Sequence, residues 1–346
     1  MELGVPKLTI RAAAGHKPVI VFRPERAETD NDKQMIRLKC GGSGKVTFQG
    51  VELRMELPTE ASYGWSLFAI YQMQQVELID TVLTIKDVGS IQTQVAFFAL
   101  QPRRIADAMK MMENDMAMMS VMSVNLNRCV ARGDGAFLRA SEESPLKIVW
   151  TQGLFVTTQR LIETEGSPLK PNDIGQRLDF DLDQVTAIIP LGFYSMRRKP
   201  GNAYQLKADV VCRDSLLQTG PQVPLFEFAD LAGLSDVKLT YRGERNLYAG
   251  EGTFLRFHPS SRGDPTEEFK FGSKDEWSDQ RPYFGIKWQN QVAVETIPAY
   301  RQSPKNFLIR ADSPFQAGFE AGILPEPSEE TKPVEKPSEP AVETDE

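Results

Sequence analysis

Histidine and cysteine are scarce in this 346-residue chain, which holds two of the first and three of the second. His16 and His258 lie far apart in sequence and both read as loop residues, which argues against a histidine-built zinc site and against a Ser-His or Cys-His nucleophile pair. Cys40, Cys129 and Cys212 are odd in number and widely spaced, so neither a disulfide framework nor a CxxC metal or redox site is indicated. They read as small core residues. Clustered cations are also few. Net charge is −7, but residues 325–346 hold eight acids and two lysines, which leaves the preceding body at −1. So even a balance argues against a nucleic-acid groove or an anionic membrane surface. Arg197-Arg198-Lys199, the one tight cation cluster, precedes Pro200-Gly201 and reads as a solvated turn.

Other signals are missing as well. The start, Met-Glu-Leu-Gly-Val-Pro-Lys, has neither the basic nor the apolar part of a secretory signal, and no apolar run reaches the roughly 18 residues of a membrane span. The expectation is a cytoplasmic protein without a membrane span. The first strand is expected at 7–11, with no amphipathic helix ahead of it to cover the open end of a repetitive β fold. That points to the C-terminal part of a longer protein, in which case the lack of a signal says nothing about compartment. Gly41-Gly42-Ser43-Gly44-Lys45 lacks the first half of a phosphate-binding loop and precedes a strand, so it reads as a flexible connection.

What the chain does have is a repeat. Two apolar residues one apart are followed by a third four positions on: Val76-Leu78-Val82, Val124-Leu126-Val130, Ile148-Trp150-Leu154 and Val210-Cys212-Leu216. A second doublet recurs upstream: Leu67-Phe68, Phe97-Phe98, Phe137-Leu138 and Leu225-Phe226. Strands starting near 46, 76, 124, 148, 180, 210 and 237 correspond to a repeat of about 22–24 residues lengthened by variable loops. The expected fold is all-β, a right-handed parallel β-helix, or solenoid, over 1–257. Gly50, Asp80, Arg128, Gly153 and Asp214 fall where such a fold turns a corner. Within a strand, alternation places Leu178, Phe180 and Leu182 inward and Asp179, Asp181 and Asp183 outward.

Residues 103–122 interrupt the repeat with Ile105, Met109, Met112, Met116 and Met119 at helical spacing, which predicts one inserted amphipathic helix. Its Met stripe suits packing on the body or on a partner, and copper(I) ligation is the lesser reading. From 258 to 324 the sequence is rich in Pro, Gly and charge, with Trp277, Tyr283, Phe284 and Trp288, and reads as a cap or side cover. The Pro- and Glu-rich stretch 325–346 cannot build a core and reads as a disordered acidic tail.

Stacking the strands in register predicts two outward ladders, Lys147–Asp179–Asp209 and Thr151–Asp183–Arg213, with Asp181 between them. Carboxylates about 4.8 Å apart beside Lys and Arg are the residue types that calcium-assisted polysaccharide cleavage requires. Asp179, Asp181, Asp183, Asp209 and Arg213 are thus the candidate catalytic residues, and Asp179 and Asp209 the candidate calcium ligands. A pair of them could equally act as acid and base in glycoside hydrolysis. The bland reading is a solvated, edge-discouraging strand face. No other cofactor is indicated.

The runs Pro18–Pro24, Gly64–Phe68, Val95–Phe98, Arg132–Arg139, Gly153–Thr158 and Arg245–Tyr248 resemble the right-handed parallel β-helix regions of large planctomycete-type bacterial proteins. The resemblance covers most of residues 1–322, and its motifs are structural. It implies a pectin-lyase-like fold, a class that includes carbohydrate enzymes, and some relatives of this kind join the region to a Ser/Thr protein kinase. No His-Arg-Asp or Asp-Phe-Gly triplet occurs here, so kinase activity does not carry over. The leading expectation is a non-enzymatic binding or scaffold module with a polysaccharide or protein partner, possible as the interaction part of a larger protein. The alternative is a polysaccharide lyase or glycoside hydrolase acting through the Asp face. Self-association through exposed solenoid ends, from the missing N-terminal cap, is a third expectation, and oligomeric state stays open.

Overall fold

A computed structural model describes residues 1–328, except 4–6, 25–28, 30–31, 40–43, 59–63, 73–74, 88–93, 102–120, 169, 171–176, 250–251, 262 and 315. The Met stripe from Ile105 to Met119, Cys40, Gly41–Ser43 and most of the acidic tail lie outside the described residues. Met122, the last residue of the stretch expected as the inserted helix, instead begins the strand Met122–Gly133.

The chain is mostly β, and among the described residues its strands pair in parallel throughout two sheets of ten and fifteen strands, save for one antiparallel partner, Glu267–Lys270. Strands that pair in parallel are not neighbours in sequence. Ala136–Ala140 of the first sheet pairs with Ala96–Leu100 before it and Ile162–Thr164 after it, while Leu146–Thr157 of the second sheet lies between in sequence. This alternation explains why the two recurring patterns never merge: Phe68, Phe98 and Leu138 align in the first sheet, and Val76, Val124 and Ile148 align in the second. Parallel pairing continues past residue 257, through Trp277–Gln280 and Tyr283–Phe284.

Alternation decides which face is buried. Along Arg177–Ile189, Leu178, Phe180 and Leu182 are buried while Asp179, Asp181 and Asp183 are half-exposed. The inward side chains of both sheets form one core, with aromatic contacts that run along the stack, such as Phe68 on Phe98 at 4.9 Å and Phe226 on Phe254 at 4.9 Å. Cys129 and Cys212 lie in this core, where burial pushes both thiols up to about 12 and leaves them inert at neutral pH.

The second sheet bends at one aligned position. Gly50, Asp80, Arg128, Gln152, Gln184, Asp214, Arg245 and Arg281 all have positive φ there. At the 148–154 repeat the left-handed residue is therefore Gln152, not the expected Gly153. Gly153 serves another purpose: a Cβ there would sit 1.8 Å from Trp150 Nε1. Because the non-glycine corner residues carry side chains, they pair along the stack. Arg128 donates twice to Asp80, at 2.6 and 2.8 Å, Arg245 donates to Asp214 at 2.7 Å, and Gln152 donates to Gln184. The Asp134-Gly135 dipeptide makes a bend between strands of different sheets and not a hairpin.

Beyond the bend, the outward face of the second sheet is apolar: Val82, Val130, Leu154, Val156, Ile188, Leu216 and Leu247 are buried. The C-terminal segment covers them. Trp288, Phe307, Ile309, Ala317, Phe319 and Leu324 pack on this face, and the segment is fastened at intervals. Trp288 Nε1 donates to Gln218, the Gly318 amide to the Asp214 carbonyl, the Glu320 amide to Gln152, and Arg132 to the Gln302 carbonyl.

Candidate functional site

Among the described residues, the C-terminal strap packs on the apolar part of the second sheet beyond the bend, and the part before the bend carries the acidic ladder. The register pairs Lys147 with Asp179 and Asp179 with Asp209, and pairs Thr151 with Asp183 and Asp183 with Arg213. The five candidate residues are thus brought onto one face, as their spacing predicts. Their charges are largely taken up within the protein. Arg177 Nε lies 2.9 Å from Asp179 Oδ1 and its Nη1 3.6 Å from Asp209 Oδ2, and Lys207 Nζ lies 2.9 Å from Asp209 Oδ1. The Asp209 side chain is only 10 % exposed, so these cations are its solvation. Arg213 donates to Asp181 at 2.6 Å. Asp183 alone has no such close partner among the described residues, and its carboxyl is held above the usual range. Partial burial is the main cause; Arg213 opposes it, and Asp214 and Asp181 add to it.

Calcium needs about six to eight oxygen ligands. Among the described residues no three acidic, His or Cys side chains converge to hold a metal ion. Asp179 and Asp209 fit such an ion poorly, because each already binds Arg177.

Next to this ladder the surface opens into a cleft of about 650 Å³. One wall is Ala203–Gln205 with Arg198, and the other is the single-turn segment Leu234–Asp236 with Lys238. Lys170, Arg177, Arg198, Lys207, Lys238 and Lys274 bring six cations to its lining, against Asp236 and Glu276. Arg198, expected as part of a solvated turn, is instead half-buried at its edge. A second hollow of about 550 Å³ adjoins it, sharing Arg198 and Ala203 and adding Lys199. Sequence reasoning missed this cleft. Its lining comes from residues up to about a hundred positions apart, and only the paired charges of Lys207 and Arg177 beside the Asp strand hinted at it.

Buried polar groups hold the walls. Glu143 is buried and accepts hydrogen bonds from Thr164 Oγ1 at 2.7 Å, Tyr194 Oη at 2.8 Å and the Leu206 amide at 2.6 Å. Burial raises its carboxyl above the usual range, against the lowering effect of those three donors. Asn202 donates to the Ser141 and Glu165 carbonyls at 2.9 and 2.8 Å. Together they fix the 198–206 loop that forms one wall. His258, expected in a loop, sits on the strand Thr253–Pro259 and bonds to Glu227 and Thr266.

No family model matches the chain, and no curated protein or solved structure matches it significantly. No described helix is long and apolar enough to cross a membrane.

Proposed function

We propose that this protein is a non-enzymatic binding module built on a right-handed parallel β-helix. Support for the architecture comes from strands that recur in the same order and pair in parallel with their counterparts in the next repeat, together with the strong right-handed preference of parallel crossovers. The resemblance to planctomycete-type β-helix regions is consistent with a role as the interaction part of a larger bacterial protein.

One observation carries the binding reading: six cations line a cleft whose walls are braced from within, beside a ladder whose carboxylates are mostly paired to cations. The polysaccharide lyase or hydrolase reading needs a free base and a partner acid. Asp183 is the one candidate with a raised carboxyl; its ladder neighbours are Thr151 and Arg213, and the acids beside it are engaged, Asp181 by Arg213 and Asp214 by Arg245. The test is incubation with acidic and neutral polysaccharides, with calcium and with chelator. The module reading expects no new reducing ends or unsaturated products, and calcium-dependent product overturns it.

A further inference from the structure

We infer that the Arg198–Lys238 cleft binds an acidic, leucine-bearing peptide segment of a partner protein; this rests on the binding-module reading and names the partner class for that site. The charge count favours an anion. Arg177 and Lys207 are engaged by Asp179 and Asp209 at the rim, and Lys274 lies 3.9 Å from Glu276 and 4.4 Å from the Trp277 ring. Lys170 and Arg198 make no ion pair among the described residues, and Lys238 Nζ donates only to the Ser235 carbonyl there. In a body of net charge −1, these cations gather in one concavity, which focuses a positive potential on whatever enters.

The mixed lining favours a peptide over a sugar. Its apolar lining is Leu234, the nearly buried Leu231, Val237 and Leu239, and the exposed aromatic Tyr204, set beside Gln205, Ser235 and Thr240. A uronate chain, polar along its whole length, would set hydroxyls against that apolar part of the lining, at a desolvation cost. A single-stranded nucleic acid would need several stacking aromatics. A peptide with carboxylates beside leucines satisfies both the cationic walls and the apolar part of the lining. The cleft's 650 Å³ lies within the usual span of about 300–1,000 Å³ for a ligand site, which suits a short segment.

The test is fluorescence anisotropy of the full chain with a labelled peptide of alternating glutamates and leucines, and with its lysine-for-glutamate counterpart. The acidic peptide should bind saturably, the lysine peptide should not, and binding should vanish near about 1 M salt, where screening acts within about 3 Å. The double variant Arg198→Glu/Lys238→Glu should weaken binding about tenfold or more. The milder Arg198→Gln/Lys238→Gln should weaken it to a lesser extent, and Lys305→Glu, outside the cleft, should change nothing. An unchanged thermal midpoint shows that each variant is folded. Absence of saturable peptide binding, or binding indifferent to both double variants, overturns the inference. If polygalacturonate binds in its place and is lost in those variants, the peptide class is wrong while the module reading stands.

Discussion

Glu52 accepts the backbone amide of Ser328 at 2.7 Å, a contact between residues 276 positions apart. Glu52 is 5 % exposed, and its other oxygen takes Arg54 at 2.7 Å, while Arg54 also donates to the Ser328 carbonyl at 3.1 Å. Thr84 and Arg132 complete the cluster, and Arg132 holds the Gln302 carbonyl at 2.6 Å. A buried acid and two buried arginines thus clasp the strap at Ser328 and Gln302.

Glu52→Ala should strip that clasp and take from Arg54 and Arg132 the buried carboxylate they share, destabilising the protein by about 3 kcal/mol. Limited proteolysis should then cut within 285–328 before the sheets open, with denaturant unfolding as the companion measurement. Arg23→Ala breaks the pair with Glu56, but Arg23 is 67 % exposed, and it should cost well under about 1 kcal/mol. Equal effects from the two variants would refute the clasp.

Gly153→Ala should destabilise by about 3 kcal/mol or more, since its Cβ would meet Trp150 Nε1 at 1.8 Å in a fully buried aromatic cluster. Gly233→Ala, with only Ser235 Oγ near at 3.7 Å, should stay within about 0.5 kcal/mol. Urea midpoints of the two variants check the contrast.

Glu143 predicts a pH dependence. Burial raises its native carboxyl above the unfolded value, so between those two values the native state holds the extra proton and stability falls as pH rises. Above the raised value the loss is complete, and below the ordinary carboxylate value none of it is felt. Glu143→Gln removes that titration but leaves the Gln amide facing the Leu206 N–H. The stability lead of the native protein over the variant should therefore shrink across this window as pH rises, in urea unfolding from acid to neutral pH. A constant lead would show that Glu143 does not titrate on unfolding.

Asp179→Asn with Asp209→Asn frees Arg177 and Lys207 at the rim of the cleft. Affinity for the acidic peptide should rise by about twofold to fivefold, and more steeply at low salt. Calorimetric titration with calcium should be flat for both the native protein and the variant. Calcium binding that disappears in the double variant would restore the Asp ladder as a metal site.

The repeat was legible because strand alternation and parallel register are local and periodic. Once Ile148, Phe180 and Val210 are aligned as inward residues, Lys147, Asp179 and Asp209 must align on the opposite face, and they do. The same logic located the bend but mistook its residue. Gly153 is the glycine that a reader of sequence expects to turn the corner, yet Gln152 takes the positive φ and Gly153 makes room for Trp150. That distinction depends on a side chain packing back onto the bend, which spacing does not encode.

By itself, then, the sequence determined the strand faces, the parallel stacking pattern and which carboxylates share a ladder, because each follows from a period of two within strands and a recurring spacing between them. Tertiary structure decided the rest. Only after the sheets had stacked did Arg198, Lys238 and Lys274 meet around one cleft, and only then did Ser328 reach Glu52. Such contacts join surfaces distant along the chain, and their geometry depends on loop paths and on how far each stack extends, quantities that no local pattern of residues specifies.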